Sequence, residues 1–184
     1  MAATRRTRQI YRLTPLSILL ALATMFLPVT PATATTGTAI CNGTDTVHYK
    51  PALTTQPQDV TNDVNIAWNL CTSTSHPEVT SGKSTATFHL NARSCTQLLA
   101  PSTLTLTITW NTGQTSTYTS TYNASVVGAV YTVTGIGTVT DGLFTGQTIT
   151  TNFTGPAVDI LLCTTGLGTV SKVGLVGTLA ILPV

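Results

Sequence analysis

Charge is what this chain has least of. Lys, Arg, Asp and Glu make up 8% of its 184 residues, and half of the eight basic residues crowd into the first dozen positions. Beyond them only Lys50, Lys83, Arg93 and Lys172 are basic, against six acids, which gives residues 35–184 a formal charge of −2. No basic stripe is left to follow a phosphate backbone, so nucleic acid is excluded as a partner.

The usual signatures of chemistry are missing too. No serine sits in a G-x-S-x-G elbow, no H-E-x-x-H pair occurs, and no C-x-x-C is present. His48, His76 and His89 are scattered; His89 alternates outward from Phe88 and Leu90, and His76 lies in a polar loop with Glu78. Asp59 and Asp63 would share one strand face about 13 Å apart, too far for paired-carboxylate glycoside chemistry. The fragments Gly135-Ile136-Gly137 and Gly166-Leu167-Gly168 lack a third glycine and a following helix, so they read as turns. Catalytic residues, metal ligands and cofactors are accordingly none.

Long apolar runs are also absent. The one candidate, 16–29, is shorter than the roughly 20 residues a spanning helix needs, and Thr24 and Pro28 interrupt it. Arg5, Arg6, Arg8 and Arg12 precede it, and Ala32 and Ala34 follow with the spacing of a peptidase site. This pattern predicts a secretory signal peptide over residues 1–34, an extracellular or envelope-associated mature chain, and no membrane segment after cleavage. The remaining 150 residues suffice for one domain with a real core.

Threonine fills the place of charge. Thr103, Thr105, Thr107 and Thr109 alternate with Leu104, Leu106, Ile108 and Trp110, the period of a half-buried strand with a hydroxylated outer face. Similar alternation predicts strands over 44–53, 60–71, 85–90, 103–110, 115–123, 126–134, 138–140, 143–153, 158–163 and 171–182. One short helical turn is expected between Arg93 and Pro101. Asn111-Thr112-Gly113 and Asp141-Gly142 supply turn chemistry. Eight to ten short strands at this spacing predict an all-β, two-sheet antiparallel sandwich over residues 35–184, with a barrel as the second alternative.

Four cysteines, Cys41, Cys71, Cys95 and Cys163, form an even set in an exported chain, and their wide spacing suits disulfides rather than zinc. Three pairings are possible. A hairpin centred on Gln56 sets Cys41 opposite Cys71, which favours that bridge and leaves Cys95–Cys163. Strict pairing would then oppose Val47 and Tyr49 to Asn65 and Asp63, so a bulge is required. Trp68 and Trp110 fall in register with aliphatics and read as core. Tyr118 and Tyr122 share a face with Ser116 and Ser120, and this face is the candidate ligand surface, with a span close to that of alternate sugar units.

Several segments resemble a group of uncharacterised secreted proteins of streptomycetes and related actinobacteria with a four-cysteine frame. They are His48-Tyr49-Lys50-Pro51-Ala52-Leu53-Thr54, Ser94-Cys95-Thr96, Thr109 to Ser116, Gly137 to Gly146, and Cys163-Thr164-Thr165-Gly166. The resemblance implies an immunoglobulin-like exported domain and transfers no catalytic residue. The functional expectation is a secreted non-enzymatic binding or structural domain, its partner a cell-envelope component, a polysaccharide or another secreted protein. A carbohydrate-binding module using Tyr118 and Tyr122 is one alternative. A small secreted hydrolase is the other, and it requires a pocket joining a histidine to Asp45, Asp59, Asp63 or Glu78.

Overall fold

The computed structural model describes residues 37–184; the expected leader lies outside the described residues. Eight antiparallel strands follow one another around a ring. They are β1 (Ala39–Leu53), β2 (Gln58–Ser73), β3 (Gly82–Arg93), β4 (Ser102–Trp110), β5 (Thr115–Val127), β6 (Val130–Gly142), β7 (Thr148–Pro156) and β8 (Val170–Leu182). A 3-10 helix, Cys95–Leu99, lies between β3 and β4, and a short helix α1 (Val158–Thr164) between β7 and β8.

The ring closes. β1 pairs with β2 on one side and with β8 on the other, from Ala39↔Ile181 to Leu53↔Val170. The expected two-sheet sandwich is therefore wrong: the fold is all-β, but it is one closed up-and-down barrel. The alternation that suggested a sandwich is equally that of a barrel, because each strand has one inner and one outer face in both. The difference lies in connection and length. Strands of 9–16 residues joined by hairpins leave no sheet edge when the last meets the first.

Several boundaries moved: 138–140 is continuous with β6, the strand expected over 143–153 begins only at Thr148, and two further changes have local reasons. The stretch expected as one strand over 126–134 is a hairpin, with Gly128 at positive φ between β5 and β6. The segment 158–163, expected as a buried strand, is α1; Ile160 and Cys163 are buried while Leu161 and Leu162 face outward, an i, i+3 pattern. A six-residue apolar run does not separate strand from helix by itself. The helical turn expected after Arg93 is the 3-10 helix.

Both disulfides have the favoured pairing, Cys41–Cys71 and Cys95–Cys163. The required bulge is present: register shifts between Ile40 and Asn42, Leu70 adopts a positive φ, and Val47 meets Val64. The hydroxylated face of β4 and β5 lies outside as a ladder of threonine pairs, Thr103–Thr121, Thr105–Thr119 and Thr107–Thr117, bonded at 3.3, 2.9 and 3.0 Å. On β4 hydroxyls lie outside and aliphatics inside, the inverse of a membrane-barrel strand. Among the described residues no helix is long and apolar enough to cross a membrane.

The two ends of the barrel differ. At one end Trp68 packs on Phe153 (ring centres 5.3 Å apart), and Trp110 meets Phe144 edge-on at 5.9 Å. The β2–β3 loop seals this end with the fully buried Val79. Asn111 anchors that loop, accepting from the Thr80 and Ser81 amides and donating to the Glu78 carbonyl. At the other end the 3-10 helix and α1 lie near the mouth, joined by Cys95–Cys163.

Candidate functional site

A cavity of about 160 Å³ occupies the half of the barrel away from the tryptophans. All eight strands contribute to its wall, with aliphatics such as Val47, Val64, Leu106, Val133 and Leu175 setting its character. The 3-10 helix covers the rim with Gln97 and Leu98, and the Tyr131 hydroxyl donates to the Leu98 carbonyl at 3.1 Å.

The wall has one open seam. β3 and β4 pair only at Gly82↔Trp110 and Lys83↔Thr109, whereas β4 and β5 pair without a break from Ser102↔Tyr122 to Thr109↔Thr115. Past Lys83 the two strands lose each other, and Phe88 and Leu90 on one side and Leu104 on the other line the cavity half-buried. The far end of β3 is irregular: its register with β2 shifts near Val60, Ala92 adopts a positive φ, and the Ala92 amide donates to the Asp59 carboxylate at 3.0 Å. Along the seam no strand pairing closes the wall of the cavity.

Asp45 is the chemically distinctive wall residue. β1 places Asp45 in step with the inward positions Cys41, Gly43, Val47 and Tyr49, opposite Ile66 on β2 and Leu175 on β8. It is 9% exposed, the only charged residue buried among the described residues. Its Oδ1 makes no hydrogen bond there. Burial pushes its carboxyl up to about 7; the Thr46 backbone is the one group that opposes this.

Every tyrosine among the described residues feels this carboxylate, and three of them, Tyr49, Tyr122 and Tyr131, line the cavity with it. Burial raises Tyr49, Tyr118, Tyr122 and Tyr131, and the negative charge of Asp45 adds to the rise in each. Tyr131 reaches about 12. Tyr118 and Tyr122 are close enough to perturb each other, yet neither hydroxyl makes a hydrogen bond of good geometry. Asn62 Oδ1, Ser120 Oγ and Thr151 Oγ1 are likewise without partners among the described residues. At the sealed end the Trp110 indole donates to Ser116 Oγ at 2.8 Å and Ser116 donates to the Leu143 carbonyl at 2.6 Å, while the Trp68 indole has no partner among the described residues. Of the unmet polar atoms, those of Asp45, Asn62 and Tyr122 belong to residues that line the cavity, where a ligand or water can meet them.

The face expected to present Tyr118 and Tyr122 to solvent is the inner face. Tyr118 is fully buried, and Tyr122 lines the cavity. The threonines of β5 take the outside and its serines and tyrosines the inside, the reverse of the polarity their hydroxyls suggested. Trp68 and Trp110 are core, and His89 is outside, near Thr61.

The other carboxylates serve the outer surface. Asp63 accepts from Thr87 (2.8 Å) and Lys50 (3.1 Å), and those two contacts, Thr87 first, hold its carboxyl below the ordinary range. His76 meets Glu78 at 3.2 Å in the β2–β3 loop. No histidine lines the cavity with Asp45 among the described residues, and no group of three potential metal ligands forms there.

Sequence reasoning singled out the tyrosines for the wrong side and passed over Asp45 except as a partner for a histidine. The missed signal is parity: an acid on the same alternation as Cys41, Val47 and Tyr49 is an inward acid. No family model, curated protein or solved structure matches the chain.

Proposed function

We propose that this chain is a secreted, non-enzymatic binding protein that holds a small apolar molecule with one polar group inside its barrel. The observation behind this reading is the pairing of an aliphatic cavity with a buried carboxylate whose Oδ1 has no partner among the described residues, beside a stretch of wall that strand pairing does not close. Small ligand sites are commonly concave and apolar with a few converging polar groups, and the mouths of β-barrels are a usual place for them. The volume is near that of an engineered apolar cavity of about 150 Å³ that binds benzene.

Export is supported by the basic and apolar leader and by two disulfides, which persist in oxidising compartments. A non-enzymatic role is supported by the character of the lining. Asp45 has tyrosines, an asparagine and aliphatics around it, and neither histidine nor cysteine shares its cavity.

Toluene titrated into isotopically labelled protein tests the reading. Saturable chemical-shift changes at the methyls of Val47, Leu104, Leu106 and Val133 are expected. Changes confined to outer-face residues, or none, would overturn it.

A further inference from the structure

We propose that the natural occupant is a small organic cation, an amine of about benzylamine size, whose ammonium pairs with Asp45 while its hydrocarbon part fills the cavity. This deepens the binding reading above and depends on it.

The first support is electrostatic. A carboxylate taken out of water is strongly disfavoured unless something of opposite sign meets it. Asp45 has no such partner among the described residues. The groups that could bear on it can be taken strand by strand. β1 offers Tyr49, β5 offers Tyr118 and Tyr122, and β6 offers Tyr131; β2 and β8 contribute Asn62, Ile66, Val173 and Leu175, none of which titrates. Arg93, the last residue of β3, lines the rim, where its charge bears on Tyr49 and has no part among the influences on Asp45. Lys50 is engaged on the outer face by Asp63, and Lys83 and Lys172 are exposed.

Aromatic surroundings supply the second support. Three tyrosines, Tyr49, Tyr122 and Tyr131, line the same cavity as the carboxylate and make an environment suited to an ammonium, because ring faces attract cations and do so most where water is excluded. An anion seated beside Asp45 would face the carboxylate directly, away from Arg93 at the rim. A neutral alcohol would donate one hydrogen bond and leave the carboxylate charge unmatched.

Size supplies the third. A single aromatic ring or a chain of similar bulk fills about 160 Å³, and the seam between β3 and β4 lets a longer tail project outward.

A proton balance follows. In the empty cavity burial raises the Asp45 carboxyl to about 7, so near neutrality part of the population is protonated. An arriving ammonium favours the ionised form and expels that proton to solvent. Affinity therefore rises between pH 5 and pH 7, by about tenfold per pH step, and levels off above.

Calorimetric titration with benzylamine, benzyl alcohol, benzoate and toluene decides the matter. At pH 8 benzylamine is expected to bind at least about tenfold more tightly than benzyl alcohol, with benzoate weakest. At pH 6.5 its heat should vary with the buffer's ionisation enthalpy, as proton release requires. In Asp45→Asn the advantage of amine over alcohol should vanish. If toluene binds but amine and alcohol are equal, or benzoate is preferred, the amine assignment is overturned while the cavity reading stands. An amine preference that survives in Asp45→Asn overturns it too. If none of the four binds, the cavity reading itself fails.

Discussion

Tyr122 on β5 pairs with Gly135 on β6, and the glycine makes room for the tyrosine ring. A Cβ at position 135 would stand 2.6 Å from a Tyr122 ring carbon and 2.5 Å from Thr151 Oγ1. Neither distance is tolerable, so the missing side chain at 135 sets where the Tyr122 ring lies against the cavity.

Gly135→Ala should therefore displace that ring. Overpacking of this kind typically costs about 1–3 kcal/mol, and the displaced tyrosine should reduce toluene affinity as well. Denaturant unfolding and toluene titration of the same variant check both effects. Gly135→Ala combined with Tyr122→Phe would still clash at the ring, and Tyr122→Ala would relieve the ring contact but leave the one with Thr151 Oγ1. An alanine at 135 that alters neither stability nor binding would contradict the packing described.

Asp45 should make stability fall as pH rises. A carboxyl at about 7 in the folded chain and near 3.8 when unfolded keeps its proton preferentially in the folded state. Its protonated form is accommodated fully below pH 4, and the advantage is lost as pH climbs through 7. The total effect is about 4 kcal/mol, from roughly 1.4 kcal/mol per pH step. Asp45→Asn removes the titrating group, so the variant should melt above the parent at pH 8 and match it near pH 4. Melting curves over that range measure the difference; a parent that gains stability between pH 4 and pH 8 relative to Asp45→Asn would reverse the sign and refute the account.

Much of this fold was legible in the chain, and the limits have physical causes. Thr103 through Trp110 announced a half-buried strand because threonine and aliphatics strictly alternate, and the strand is there. Cys41 and Cys71 announced their bridge through symmetry about Gln56, and even the bulge that parity demanded was found. Closure was not legible. Whether β8 returns to β1 depends on twist and stagger summed over eight strands, and no residue pair in the chain states that sum. The site was half legible. Tyr118 and Tyr122 stood out, but a hydroxyl tells nothing about side when the interior contains a polar cluster. Asp45 lay on the inward parity, yet an acid there breaks the rule that core positions are apolar, and such breaks tend to occur where function is.

The seam between β3 and β4 should be the weakest part of the wall. Residues 84–90 of β3 and 102–108 of β4 lack ladder partners across it, so amides pointing into it depend on water. Hydrogen exchange should run at least about 100-fold faster there than for amides shared by β1 and β8, whose pairing is unbroken from Ala39 to His48. Residue-resolved exchange at neutral pH reads this directly. Equal protection on both sides of the barrel would mean that β3 and β4 are joined in solution and that the lateral entrance is closed.

The two disulfides should separate in their effects on the ligand. Loop closure predicts a similar stabilisation from each, about 4 kcal/mol at separations of 30 and 68 residues. Their places differ: Cys41–Cys71 staples the sealed end, whereas Cys95–Cys163 ties the 3-10 helix to α1 beside the cavity mouth. Removing the first pair as Cys41→Ala with Cys71→Ala should lower stability and leave the exchange rate of bound toluene almost as it was. Removing the second as Cys95→Ala with Cys163→Ala should lower stability by a similar amount and also free the 3-10 helix, whose remaining ties are the Tyr131–Leu98 contact and the Cys95 amide to Thr54. Toluene should then enter and leave several-fold faster, a change visible in its NMR exchange broadening at matched stability. Equal exchange rates in the two variants would show that the mouth is not what governs access, and would leave the β3–β4 seam as the sole route.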